Sequence, residues 1–235
     1  MNEIDPRSES FLRQFRPTPV SQSEWTGHPF DHVVATEREL REIVGVPGAR
    51  SVQKERPALD THCRAFIARS PLVLVATAGP DGRCDVSPKG DVPGFVLVLD
   101  EGRLVIPDRP GNKRLDGMTN LIANPHIGLL SLVPGREETL RVNGRAWITR
   151  DPELLRQSTF QGKTPLVAIG VAVEQCFLHC AKAFRRSRLW AHEQWPAPDV
   201  LPSLACVLFD QIRPAGVTLQ DYERDIEEGY AKRLY

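Results

Sequence analysis

Between Leu72 and Ile106 the apolar residues fall in short runs cut by turn residues, a spacing that predicts β structure. Leu72–Ala78 is almost wholly apolar, as expected for a strand covered on both faces. Gly79-Pro80-Asp81-Gly82 has the composition of a hairpin turn, and Arg83–Pro88 returns antiparallel. A loop at Gly90–Gly94 leads to a strand at Phe95–Leu99, and Asp100-Glu101-Gly102 turns the chain into Arg103–Ile106. Three more strands are predicted at Ile127–Val133, Thr139–Thr149 and Leu166–Glu174, with Gly144 marking a bulge or a close backbone approach. Connections this short favour an antiparallel barrel or sandwich over βαβ units. Six or seven short strands around one core, with helices at the periphery, fit a small closed barrel.

Helical periodicity appears around this core. Asp31–Val44 predicts a helix capped by Thr36, with Glu39 at the capping-box position. Asp60–Ser70 places Cys63, Phe66 and Ile67 on one face behind an Asp60 cap. Further helices are expected at Leu115–Ala123 (opened by Asn112, Lys113 and Arg114), Asp151–Gln157, Cys176–Leu189 and Leu219–Tyr235. The organisation read from this pattern is an N-terminal extension at 1–30, a barrel domain at 31–195 and a C-terminal extension with an amphipathic helix at 196–235.

The chemistry concentrates between Leu104 and Asn120. A strand breaks at Pro107 and Pro110, and Asn112, Lys113 and Arg114 follow at an expected helix start. Free N–H groups with adjacent cations make an anion site, and phosphate is the usual occupant. The same cluster also reads as a solvated helix start. Three other clusters carry the same double reading. Ser87-Pro88-Lys89-Gly90-Asp91 ends a strand with a hydroxyl and an ammonium, yet has ordinary turn composition. Asp108 and Arg109 sit between two prolines, either as preorganised contacts or as a surface ion pair. Lys182 and Arg186 share one face of the expected Cys176–Leu189 helix, as a second cationic arm or as a plain basic surface.

Composition narrows the class. Thirty Lys and Arg balance thirty Asp and Glu, which argues against nucleic-acid binding through bulk positive charge. Five cysteines, an odd number, behind a polar N-terminus predict reduced thiols and a cytoplasmic protein. No apolar run approaches a membrane span. Cys176, His179 and Cys180 lack a second ligand pair, so no metal site is expected. Neither a Gly-x-Gly-x-x-Gly motif after a strand nor a P-loop is present.

Four segments in this order, FIARSPLVLVATAGPDGRCDVSPKGD, LVIPDRPGNKRLDGMTNLIANPHIGLL, ETLRVNGRAWI and HCAKAFRRSRLW, resemble the pyridoxamine 5′-phosphate oxidase-like, FMN-binding split-barrel superfamily, and within it a bacterial flavin-nucleotide-binding branch. The resemblance covers about Leu40 to Trp190. It implies a mainly β fold with peripheral α, a six-stranded antiparallel Greek-key split β-barrel, and a homodimer holding FMN at the subunit interface. It places the phosphate at Asn112, Lys113 and Arg114, and the ring and ribityl chain along Ile106, Pro107, Asp108 and Arg109. Ser87, Pro88, Lys89 and Gly90 line the neighbouring strand end. By position the partner subunit would add Arg141, Lys182, Arg186, Ser187 and Trp190. Arg109 or Lys89 would supply a cation near the flavin's pyrimidine edge and raise its potential. The implied activity is an FMN-dependent oxidoreductase acting on a small molecule. The alternatives are a flavin carrier or sensor without turnover, or the same barrel using deazaflavin or haem, with His126 or His179 as the haem ligand. The chain departs from the true oxidase after Trp190, where Ala191-His192-Glu193-Gln194-Trp195-Pro196 lacks the arginine- and histidine-bearing substrate segment.

Overall fold

A computed structural model describes residues 30–235. The expected N-terminal extension, apart from its last residue, lies outside the described residues. The described chain forms two compact units, Gln53–Trp195 with Lys232–Tyr235, and 30–52 with Pro196–Ala231. The span 31–195 read from the sequence is thus divided at Val52, and the early helices group with the C-terminal segment.

The larger unit is one seven-stranded antiparallel sheet with peripheral helices. Its strands are β1 (Leu72–Ala78), β2 (Cys84–Gly90), β3 (Leu97–Val98), β4 (Arg103–Pro107), β5 (His126–Leu132), β6 (Thr139–Thr149) and β7 (Ala168–His179). The hydrogen-bonded order is β2-β1-β5-β6-β7-β4-β3. β1 and β2 form the hairpin expected at Gly79–Gly82, with Val75 opposite Ser87. The sequence-adjacent strands β4 and β5 are not neighbours, so the chain crosses over between them, as a Greek key requires. This crossover is the segment richest in candidate chemistry.

Alternation sorts the strand residues. On one face Val73, Val75, Ile127, Leu129, Leu140 and Val142 are buried with Ile106 and Val171 in a single apolar core. The helix Thr61–Ile67 covers this core with Cys63 and Ile67, capped as expected by Asp60, whose carboxylate accepts from the Cys63 N–H at 2.8 Å. Cys63 and Cys176 lie with sulfurs 3.7 Å apart, and burial pushes the Cys63 thiol up to about 12.

Two sequence expectations change. The helix expected over Cys176–Leu189 is instead strand as far as His179, followed by a short helix at Lys182–Ser187. β6 is eleven residues long, and Thr139–Asn143 take their ladder partners from Gln175–His179, so pairing overrides the helical pattern. The helix opened by Asn112–Arg114 in fact begins at Asp116 and ends at Ala123. Leu115, the residue before it, is left-handed at φ 61°, and no side chain caps the helix.

In the smaller unit, Thr36 and Glu39 form the expected capping box on Glu37–Val44. The Thr36 hydroxyl accepts from the Glu39 N–H at 3.2 Å, and the Glu39 carboxylate accepts from the Ala35 N–H at 3.2 Å. Helices Leu204–Ile212 and Leu219–Lys232 follow, with Phe209 and Tyr222 in edge contact.

The expected irregularity at Gly144 is a register shift in the β6–β7 ladder. A Cβ there would come within 2.0 Å of the Ala172 carbonyl oxygen. At Gly128 the nearest contacts to an added Cβ are ordinary, at 3.5 and 3.8 Å. Gly144→Ala is therefore expected to lose at least about 1–3 kcal/mol in urea unfolding, and Gly128→Ala much less.

Candidate functional site

β2 lies at one edge of the sheet, and β4 is sixth in order from it. Five steps of about 4.8 Å would separate them by roughly 24 Å in a flat sheet. Side chains at their ends nevertheless meet. Lys89 of β2 pairs with Asp108 at 2.5 Å, and Asp91, just past β2, pairs with Arg109 at 2.6 Å. The sheet therefore curls until its two flanks face each other, and ion pairs close the seam in place of a backbone ladder. This is the split of the barrel.

The clasp is well shielded. The Asp91 side chain is 0% exposed and that of Arg109 15%. Asp91 accepts three hydrogen bonds: from Arg109 Nε, from its neighbour's Val92 N–H at 2.7 Å, and from the Tyr235 hydroxyl at 2.8 Å. A buried carboxylate is stable only when its lone pairs are satisfied in this way. The Tyr235 ring also packs on Phe160, with centroids 5.2 Å apart, and lies 5.8 Å from the Arg109 guanidinium. Donation to Asp91 holds the Tyr235 phenol above its ordinary range.

The inward row of β2 is polar, and the crossover is stitched along it. Asp85 accepts from Asn120 Nδ2 at 2.7 Å, and the same amide donates to the Thr77 hydroxyl at 3.1 Å. Ser87 sits on this row between Asp85 and Lys89. Between the two anchor points the crossover bulges outward as 110–115. Arg114 donates its backbone N–H to Asn112 Oδ1 at 3.1 Å, so Asn112 caps a turn and not a helix. Lys113 and Leu115 both have positive φ, near 60°. Arg114 is exposed and paired with Asp116 at 2.8 Å. Lys113 is exposed and has no carboxylate partner among the described residues.

The structure thus brings Ser87, Lys89, Asp108 and Arg109 together at the seam, with Asn112, Lys113 and Arg114 on the loop that leaves it. Two expectations are modified. Ile106 and Pro107 are fully buried, so neither presents surface to a ligand. Lys89 and Arg109 are each neutralised by a carboxylate and are not spare cations for a flavin. Pro88 and Gly90 point to the opposite, outer side of β2. Asp91 was visible in the Ser87–Asp91 cluster but its pairing with Arg109, 18 positions away, was not, and Tyr235 was not legible as a site residue because its partner lies 144 positions away in sequence.

The outer sheet face is distinct. Leu74, Ala76, Val86, Gly128, Leu130, Arg141 and Asn143 line a shallow groove of about 350 Å³. Val86 is 64% exposed there. Lys182, Arg186 and Ser187 lie on the Lys182–Ser187 helix, exposed, and Trp190 follows, stacked on Phe184 and donating to the Arg136 carbonyl at 2.8 Å. His126 shares a hydrogen bond with Asn124 Oδ1 at 2.7 Å, and His179 ends β7. Among the described residues no three His, Cys, Asp or Glu side chains form a metal-ligand group, and no helix is long and apolar enough to cross a membrane.

A family model described as "Pyridoxamine 5'-phosphate oxidase" matches residues 59–180, just over half of the chain. No curated protein matches the sequence. Among solved structures, HupZ from Group A Streptococcus is 17% identical over 51% of this chain and 92% of its own, with a TM-score of 0.43. A protein from Clostridium acetobutylicum related to general stress protein 26, of the pyridoxinephosphate oxidase family, is 15% identical over 50% of this chain and 85% of its own, with a TM-score of 0.39. An FMN-binding protein from Syntrophomonas wolfei is 12% identical over 50% and 83%, with a TM-score of 0.40. At these identities no residue role carries over from them.

Two outcomes follow from the clasp. Asp91→Ala leaves Arg109 shielded without its partner and is expected to cost on the order of 3 kcal/mol in urea unfolding. Arg83→Ala, at a 90% exposed ion pair, is expected to change stability by less than about 0.5 kcal/mol. In a spectrophotometric titration, Tyr235→Phe should remove a phenol that ionises above the ordinary value of 10.0. Because that folded value is raised, its stabilising contribution is present below pH 10 and is lost as pH rises through it.

Proposed function

Because the chain belongs to the pyridoxamine 5'-phosphate oxidase family, we propose that it binds flavin mononucleotide along the seam of the split barrel and acts as an FMN-dependent oxidoreductase on a small molecule. The observation that carries this reading is the crossover itself. It places an exposed, cation-bearing turn at Asn112–Arg114 directly beyond a stiff, preorganised wall at Asp108–Arg109.

The residues suit the parts of the cofactor. Lys113, unpaired among the described residues, and Arg114, shared with Asp116, offer charge-assisted bonds to a phosphate carrying nearly two negative charges. Polar groups at the seam, Ser87 and the carboxylate of Asp108, suit a hydroxylated chain and a heteroaromatic edge. The paired charges make the wall nearly neutral, so it orients the ring more than it alters its charge. Bound FMN would supply a two-electron carrier, which these side chains do not.

A second copy of the chain is the proposed partner. The outer face of β2, β1 and β5 presents Val86, Pro88, Leu74 and Leu130 in adjacent register, an apolar surface of the kind homodimers bury. Arg141, Lys182, Arg186, Ser187 and Trp190 would then reach the neighbouring subunit's cofactor. Turnover that exceeds free FMN under equal flavin would separate an enzyme from a carrier.

Quenching of FMN fluorescence by the purified chain tests the site. The wild type should saturate, and Lys113→Ala with Arg114→Ala together should weaken binding by on the order of 10- to 100-fold. Unchanged affinity in the double variant would move the phosphate elsewhere, and no quenching by the wild type would remove FMN as the cofactor.

A further inference from the structure

The end of β7 carries a second concentration of positive charge. Register sets Arg141 of β6 opposite Phe177 of β7, and His179 opposite Thr139, so Arg141, Phe177 and His179 share one face. The Arg141 guanidinium lies 5.4 Å from the centre of the Phe177 ring, and the His179 ring lies 5.1 Å from it. Lys54 Nζ lies 4.7 Å from the same ring, and is held there by donating to the Leu178 carbonyl at 2.8 Å. Two cations and an imidazole thus surround one half-buried aromatic side chain.

No carboxylate among the described residues answers this charge. Glu137 is taken up by Arg185 at 2.7 Å and Glu138 by Arg136 at 3.3 Å, while the Glu55 carboxylate accepts from the Gln175 amide at 2.8 Å and forms no salt bridge with Lys54 or Arg141. Two titratable groups register the resulting field. His179 is held below its ordinary value by burial and then by Arg141 and Lys54. The exposed Cys180 thiol is lowered by the Lys182 N–H, and then by the charges of Lys182 and Lys54. Cations gathered without counter-charge repel one another, and a bound anion relieves that repulsion.

We propose that Lys54, Arg141 and His179 form a binding site for a phosphate monoester, separate from the turn at Asn112–Arg114. The donor set favours a phosphate over a carboxylate. The guanidinium fork can take two oxygens, while an ammonium and a ring N–H remain for the third, and a dianion best offsets two fixed cations. Arg141 also lines the apolar groove with Leu74, Ala76, Val86 and Leu130, the face proposed above to meet a second copy, so the ester's apolar body lies between the two subunits with its phosphate on the cluster. The same chemistry is met by a phosphorylated substrate or by a cofactor phosphate. The site stands on its own geometry whether or not the flavin reading holds.

Calorimetric titration of the full-length chain with phenyl phosphate at low ionic strength tests the site. Saturable binding is expected. Arg141→Gln and Lys54→Gln should each weaken it at least about tenfold, while Arg83→Gln, in an exposed ion pair outside both sites, should leave it unchanged. In the unaltered chain, saturating phenyl phosphate should raise the apparent pKa of His179 followed by imidazole NMR, and equal chloride should not. Absence of saturable binding, unchanged affinity in Arg141→Gln, an equal loss in Arg83→Gln, or an unmoved His179 would each overturn the proposal. A parallel FMN titration assigns the source. Weakened FMN binding in Lys54→Gln with unchanged FMN binding in Lys113→Ala with Arg114→Ala marks a cofactor phosphate held here in place of the turn, and the converse marks a substrate phosphate.

Discussion

Two ion pairs hold the flanks of this sheet together, and the candidate site exists because they do. Without Lys89–Asp108 and Asp91–Arg109, β2 would be an open edge strand and the crossover after β4 a long free loop. With them, the crossover is pinned beside Pro107 and again at Asn120, and the turn between is presented outward. A backbone ladder would also have closed the barrel, but it would have buried the seam as continuous strand. Side-chain closure leaves the seam lined by polar side chains where β2 and the crossover face each other. Pairs of this kind are costly to break and not especially stabilising to make, so their effect is on geometry more than on total stability.

Positive charge is treated differently in two places. At the seam every cation has a carboxylate, and the wall is rigid and nearly neutral. On the exposed turn Lys113 has none among the described residues, and at the end of β7 neither Lys54 nor Arg141 has one. The unpaired sites are the ones suited to anions, since a bound anion there displaces water and not an existing partner.

Much of this was legible along the chain, and the misses have physical causes. The hairpin at Gly79–Gly82, the strand order in sequence, the Asp60 cap and the break at Gly144 are local signals, and all appear where expected. Asn112 was read as a helix cap because Asn followed by cations fits that pattern. In the fold its side chain accepts from Arg114 two residues on, and left-handed Leu115 delays the helix. Residues 176–179 have helical composition, but the long β6 strand requires a partner along its length. The clusters at Ser87–Asp91 and Asp108–Arg109 were each visible alone. That they neutralise each other depends on sheet curvature, which no local pattern encodes.

Hydrogen exchange of the full-length chain with and without FMN tests most directly whether the clasped seam is the cofactor's wall. Added protection is expected at the amides of 89–92 and of 108–114 together, since both sides of the seam would face the ligand. Protection of neither segment, or changes confined to strands remote from the seam, would contradict the account.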